Sequence, residues 1–220
     1  MATSKTIAII GATGNMGSAI AKKLANSSNR ILLFGKDAEK LNSLLQQIKK
    51  TGSNGDIEII GCPADACWEA DIIILAVPFS AEAEIAQKIQ EVATGKIVIS
   101  IANPLNNTLD GLLTQPGTSA AEELQKLLPH SKVIKAFNTT FAAAFAQPEI
   151  DGKIVDAFIA GNDSEALETV SDLVRTSGFN PIVAGELSVS RVLEDMQLLL
   201  IRLGIKYNYN WLAGWKILHN

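Results

Sequence analysis

The chain has 220 residues, of which 47% are hydrophobic and 19% charged, the balance of an ordinary globular protein rather than of a disordered or fibrous one. Its formal net charge of −4, without a basic cluster, argues against a nucleic acid or an anionic membrane as a partner. The longest apolar stretch, Ile72 to Phe79, is less than half of the roughly 20 residues that a spanning helix needs. No signal-peptide pattern opens the sequence, so we expect a cytoplasmic protein. The two cysteines, Cys62 and Cys67, have no histidine nearby, and no metal site is predicted.

Short β-branched runs alternate with longer amphipathic segments along nearly the whole chain. The predicted strands are Thr6 to Ile10, Arg30 to Phe34, Ile57 to Ile60, Asp71 to Ala76, Lys96 to Ser100, Lys132 to Phe137, Val155 to Ala160 and Pro181 to Ala184. The predicted helices are Asn15 to Asn26, Asp37 to Lys50, Ser80 to Thr94, Ala120 to Leu128, Ser164 to Ser177 and Leu187 to Ile201.

This alternation predicts an α/β fold, with a Rossmann-type doubly wound, mostly parallel sheet and a small C-terminal α/β extension. We expect residues 1–150 to form a dinucleotide-binding part. Residues 151–220 would form a smaller C-terminal part that packs on it and is not an independent domain. The stretch Asn103 to Thr118 is rich in Gly, Pro and Asn, which predicts a long loop, and such loops in compact domains are more often functional than idle.

Helix starts are marked by residues whose side chains can accept from the first backbone N–H groups. Ser119 is followed by Glu122, and Asn162 by Glu165, the spacing of a capping box. Asp37 is expected to cap the second helix.

A glycine-rich loop, Gly11-Ala12-Thr13-Gly14-Asn15-Met16-Gly17, follows the first strand and opens the first helix. In this position Gly11 makes the tight turn, Gly14 lets the backbone approach a pyrophosphate, and Gly17 lets the helix pack close to the sheet. The loop therefore predicts a dinucleotide site, with phosphate oxygens at the helix N-terminus.

The end of the second strand favours NADP over NAD. An NAD site usually carries Asp or Glu here to bind the ribose hydroxyl, whereas this chain reads Leu33-Phe34-Gly35-Lys36-Asp37. Lys36 and Lys40 are four residues apart, so we expect them on one helix face, where they could bind a 2′-phosphate.

Further segments match a known family in order and spacing: Ile74 to Phe79, Lys132 to Thr139, Ala160 to Asp163 and Gly185 to Glu194. Together with the glycine loop, they resemble the NADP oxidoreductases that act on the deazaflavin coenzyme F420 and their bacterial relatives. The resemblance runs from Thr6 to about Arg202.

The resemblance implies a separate role for each group of candidate site residues. The dinucleotide would be held by Gly11, Thr13, Gly14, Asn15, Met16, Gly17, Gly35, Lys36 and Lys40. The nicotinamide side would be lined by Val77, Pro78, Ile101, Ala102, Asn103 and Ala142. Asn138 and Thr139 would face the electron acceptor, a deazaflavin, flavin or similar flat ring. A polar pair after a strand is as often a helix cap, so that reading of Asn138 and Thr139 stays open.

Nothing in the sequence indicates nucleophilic or histidine-based acid–base catalysis. A Gly-x-Ser-x-Gly elbow is missing, and neither Tyr207 nor Tyr209 has a lysine four residues later. We therefore expect an NADP-dependent oxidoreductase that transfers hydride directly between the nicotinamide and a small-molecule acceptor. The alternative is an NADP redox sensor that binds a protein partner without turnover. The aromatic tail, Tyr207 to Trp215, and the family resemblance indicate a homodimer.

Overall fold

The computed structural model describes residues 4–53 and 55–219. Ten strands occur in this part of the chain: β1 (Thr6–Ile10), β2 (Arg30–Phe34), β3 (Ile57–Ile59), β4 (Ile72–Leu75), β5 (Ile97–Ser100), β6 (Lys132–Lys135), β7 (Glu149–Ile150), β8 (Lys153–Ile154), β9 (Asp156–Gly161) and β10 (Asn180–Gly185). The helices are α1 (Asn15–Leu24), α2 (Ala38–Lys50), α3 (Pro63–Glu69), α4 (Phe79–Ile89), α5 (Ala120–Leu127), α6 (Ser164–Thr176) and α7 (Ser190–Tyr207).

Eight strands form one sheet in the order β10-β9-β6-β5-β4-β1-β2-β3. All neighbours pair in parallel except β6 and β9, which pair in antiparallel fashion. The order reverses between β1 and β4, which is the switch point where doubly wound sheets bind ligands. The predicted Rossmann-type, mostly parallel α/β fold is confirmed.

Both faces of the sheet are buried, and β1 is apolar on both of its sides. Ile7 and Ile9 pack into one hydrophobic cluster, whereas Ala8 and Ile10 pack into the other. Alternate residues of a strand point to opposite faces, so a strand between two helical layers must be apolar throughout.

Most predicted boundaries agree closely with the structure, but some predictions were wrong. Ser119 and Asp37 cap α5 and α2 as expected, with their side chains accepting from Glu122 N and Lys40 N. The α6 cap is Asp163, which accepts from Ala166 N, and not Asn162. Asn162 instead accepts from Leu187 N at 2.9 Å and thereby fixes the start of the C-terminal helical segment.

Further differences concern helix α3, the β7–β8 hairpin, helix α7 and helix α4, which ends at Ile89 rather than at the predicted Thr94. Helix α3 and the hairpin were not predicted, because each is too short to show a clear hydrophobic period. The predicted helix from Leu187 is a 3₁₀ turn followed by α7, and α7 continues past Ile201 to a left-handed cap at Asn208, φ 55°.

The C-terminal part continues the sheet through β9 and β10. Because β9 pairs with β6 in antiparallel fashion, the C-terminal part extends the sheet and does not form a separate layer. The functional division near residue 150 stays a prediction.

Candidate active site

At two of the three glycines in the glycine loop, the surrounding backbone leaves no room for a side chain. Gly11 has φ +90°, and a Cβ there would lie 2.3 Å from Ala76 O. A Cβ on Gly17 would lie 2.3 Å from Gly11 O. Any side chain at either position would therefore clash with backbone, so these glycines are needed for the turn and for close helix packing.

Gly14 is different, because the protein itself leaves room for a side chain. It is the N-cap of α1 with φ −73°, and a Cβ would come no closer than 3.4 Å to Gly11 O. No side chain caps this helix and no acidic residue lies in its first turn. The first N–H groups of α1 thus have no capping side chain at the N-cap, which suits a bound anion.

The end of β2 lies against the glycine loop. The N–H groups of Gly11 and Ala12 both donate to Phe34 O at 2.9 Å. A Cβ on Gly35 would lie 3.0 Å from Thr13 Oγ1. The structure therefore places the predicted 2′-phosphate segment beside the predicted pyrophosphate loop.

The expectation that Lys36 and Lys40 share a helix face is wrong. Helix α2 begins at Ala38, because Asp37 is extended and caps it, so Lys36 lies in the preceding loop. The Lys40 ammonium lies 3.2 Å from the Asp37 carboxylate. Both lysines are exposed, and the ion pair of Lys40 with Asp37 leaves Lys36 the better placed of the two to contact a phosphate.

A cleft of about 270 Å³ opens where β1, β5 and β6 end. Its lining combines apolar side chains with amides and one hydroxyl: Asn15, Met16, Ile101, Asn103, Phe137, Asn138, Thr140, Phe141, Ala142, Ala143, Gln197, Ile201 and Trp211. The cleft thus shares Asn15 and Met16 with the glycine loop. None of these lining side chains is ionisable at neutral pH.

One wall of the cleft is fixed by a pair of asparagines. Asn103 Nδ2 donates to Asn138 O at 2.9 Å, and Asn138 Nδ2 donates to Asn103 Oδ1 and to Leu193 O, both at 3.0 Å. The neighbouring Phe137 is fully buried with φ 61°, a backbone conformation that is costly for a bulky residue and is found mainly at functional sites.

Three buried polar atoms near the cleft have no partner among the described residues: Asn138 Oδ1, Thr139 Oγ1 and Gln197 Oε1. Asn138 and Gln197 line the cleft, whereas Thr139 is fully buried and does not belong to the lining. Because unpaired buried acceptors are costly, the two amide oxygens favour a ligand that donates hydrogen bonds.

Comparison with known proteins decides the family. The family model described as "NADP oxidoreductase coenzyme F420-dependent" matches residues 6–104. The F420-dependent NADP reductase of Methanocaldococcus jannaschii is 35% identical, over 91% of this chain and 93% of that protein. The chain belongs to the F420-dependent NADP oxidoreductase family. The Methanothermobacter marburgensis reductase of the same name is 32% identical, over 91% and 92% of the two chains.

The fold agrees with this membership in the F420-dependent family. A crystal structure described as a putative F420-dependent NADP reductase from Arthrobacter sp. FB24 superposes with a TM-score of 0.82. The match covers 93% of this chain and 96% of that one at 24% identity, so it supports the fold alone. Among the described residues, no helix is long and apolar enough to cross a membrane, and no group of ligand-type side chains could hold a metal ion.

The site residues predicted for this family member fall into separate regions. Asn15, Met16, Ile101, Asn103, Asn138 and Ala142 line the cleft. The glycine loop, with Gly35 and Lys36, forms the adjoining region where the dinucleotide is predicted to bind. Val77 lies beside Gly11 at the end of β4, and Pro78 is the exposed N-cap of α4. Gln197 was missed, since one polar residue in an amphipathic helix gives no sequence signal.

Sequence analysis also missed a cluster of buried charges behind the cleft. Lys135 and Glu194 are fully buried, with Lys135 Nζ 2.6 Å from Glu194 Oε1. Glu82 is 3% exposed, and its carboxylate accepts from Ser100 Oγ at 3.3 Å. Burial raises the pKa of Glu82 from 4.5 to about 7, although Lys135 and the Ser100 hydrogen bond oppose that rise.

Replacing Glu82 by glutamine is expected to remove a pH dependence of stability. Below about pH 4.5 the carboxyl is protonated in both folded and unfolded chains. As pH rises towards 7, the unfolded chain releases the proton first, so the folded state loses stability, by about 3 kcal/mol at pH 8. Urea unfolding at about pH 5 and pH 8 measures this loss. Glu84→Gln, an exposed position on the same helix, is the control. Identical pH slopes for wild type and Glu82→Gln would contradict the assignment.

Proposed function

We propose that this protein transfers hydride between the nicotinamide of NADP and a flat redox ring of the deazaflavin or flavin class, bound together in the cleft. The observation that carries the proposal is the lining of the cleft, which joins the dinucleotide loop yet has no ionisable side chain. Hydride transfer between two stacked rings needs positioning and exclusion of water rather than a proton donor. The names of the relatives, F420-dependent NADP reductases, support a deazaflavin as the acceptor.

The polar atoms of the cleft fit such rings. Asn138 Oδ1 and Gln197 Oε1 are buried acceptors for which residues 4–53 and 55–219 supply no donor. The carboxamide of nicotinamide and the imide edge of a deazaflavin or flavin each present N–H groups that could donate to them. Phe141, Ile201 and Trp211 supply apolar surface for the ring faces.

To test the preference for NADP, we consider Lys36→Ala, which is expected to weaken NADPH binding by about one to two orders of magnitude. Loss of a charge-assisted phosphate contact costs about 1.5–3 kcal/mol, whereas NADH has no phosphate there and should bind as before. Fluorescence titration with both nucleotides measures the effect. Lys50→Ala, at the far end of α2, is the control. Tighter binding of NADH than of NADPH by the wild type would contradict the NADP assignment.

An isotope experiment tests direct transfer. With deuterium on one face of the reactive nicotinamide carbon, the label should pass stereospecifically to the ring carbon of a deazaflavin and remain there as a C–D bond. A reduced flavin or quinone would lose the label through its exchangeable N–H or O–H group, so with these acceptors and with ferric chelates only NADPH oxidation is measured. Flavins, deazaflavins, quinones and ferric chelates serve as candidate acceptors. Tight NADPH binding without oxidation by any of them would instead favour the redox sensor, which the names of the relatives do not support.

We further propose that the protein is a cytoplasmic homodimer. The support for a dimer is a set of exposed apolar side chains on α7 and the tail: Val192, Leu199, Ile205, Tyr207, Tyr209, Trp211, Ile217 and Leu218. Light scattering coupled to size-exclusion chromatography measures the mass in solution.

A further inference from the structure

The ion pair of Lys135 and Glu194 is an unusual element of this core. Both side chains have no exposed surface, and they come from the end of β6 and from α7. Removing two charges from water costs more than most ion pairs return, so a buried pair is weak evidence for stability. The burial of this pair therefore points to a role other than stability.

The pair connects β6 and α7 with the segment that follows β5 and with the start of α5. Lys135 Nζ also donates to Ala102 O, and Glu194 Oε2 accepts from Ala120 N at 3.1 Å. Ala102 directly precedes Asn103, which forms the asparagine wall with Asn138. The ammonium group thus holds the carbonyl of the residue next to the cleft wall.

We propose that Lys135 is a positioning residue that acts through the Ala102 carbonyl and holds the segment 101–103 in place for hydride transfer. This inference rests on the proposed function. Lys135 itself does not line the cleft, so it touches neither ring. Displacement of a cleft wall by as little as about 1 Å is enough to slow a reaction by about a hundredfold.

A variant without the buried pair separates positioning from stability. Lys135→Met combined with Glu194→Gln removes both charges with little change in shape, so neither charge is left buried without its partner, and the glutamine side chain keeps an oxygen that can accept from Ala120 N. Assays at about pH 6.5 keep Glu82 protonated, because loss of Lys135 raises its pKa further, so no buried charge remains. We expect normal thermal unfolding, NADPH affinity within about threefold of wild type, and turnover reduced by about thirtyfold.

Two single variants complete the comparison. Glu194→Gln leaves Lys135 able to donate to Ala102 O, so turnover should fall far less than in the double variant, by about threefold. Lys96→Met is the control, because Lys96 Nζ also donates to backbone carbonyls, Cys67 O and Trp68 O, but away from the cleft. It should leave turnover unchanged even if it lowers the unfolding temperature.

A measurement that needs neither cofactor nor acceptor tests this inference independently of the proposed function. The Leu105 N–H donates to Asn103 O at 2.8 Å, so its hydrogen exchange reports on the segment. We expect exchange about tenfold faster in the double variant only. Unchanged exchange, wild-type turnover in the double variant, or equal losses in Glu194→Gln and the double variant would each overturn the proposal. Failure of the wild type to oxidise NADPH would instead count against the proposed function.

Discussion

Replacing Gly14 by valine is expected to weaken NADPH binding by at least about a hundredfold while the protein remains folded. The backbone at Gly14 has an ordinary φ of −73°, and a Cβ there would lie 3.4 Å from Gly11 O and 3.8 Å from Ala76 O, both ordinary contact distances. A branched side chain would, however, occupy the space in front of the α1 N–H groups, where the pyrophosphate is expected to bind. Calorimetric titration with NADPH measures the loss.

Gly204→Val is the matched control for this substitution. No atom of the described part of the chain lies within 4 Å of a Cβ built on Gly204, which is on α7 away from the glycine loop. The control should bind NADPH like the wild type. A folded Gly14→Val protein with unchanged affinity would show that the phosphate site lies elsewhere.

Replacing Ala142 by phenylalanine is expected to reduce turnover by at least about a hundredfold. Ala142 lines the cleft of about 270 Å³, so a phenyl ring would occupy the space proposed for the two reacting rings. NADPH should still bind through its phosphates, with affinity reduced by less than about tenfold. Steady-state assays with the acceptor found in the screen, together with NADPH titration, separate the two effects.

Ala142→Ser is the control at the same position, because its side chain adds only one atom. It should keep most of the turnover. If Ala142→Phe kept the wild-type rate, the hydride transfer could not take place in this cleft.

The fold could be predicted from sequence because its signals are local. Strand β1, which is buried on both faces, and the loop from Gly11 to Gly17 each lie within a few consecutive residues. The prediction from local sequence was wrong where two neighbouring residues can each cap the same helix, as with Asn162 and Asp163 at the start of α6. Both are good caps, and the contact of Asn162 with Leu187 N decides between them.

The buried charges could not be predicted because they meet only in the folded chain. Glu82, Lys135 and Glu194 lie on α4, β6 and α7, far apart in sequence, and each alone looks like a surface charge. Gln197 is similar, since only its burial and its unpaired oxygen mark it. Composition and residue spacing do not indicate such contacts between residues far apart in the sequence.

The position of Trp211 gives the protein an optical probe of its own. Its ring lies edge-on to Phe141 with centroids 5.5 Å apart, in the wall of the cleft. Of the other tryptophans, Trp68 is 70% exposed on α3, and Trp215 pairs with Asp156 at the start of β9. Conjugated rings that enter the cleft would come close to the Trp211 indole and quench its emission. With Trp68 and Trp215 replaced by phenylalanine, the remaining fluorescence would follow arrival and departure of each ring in real time.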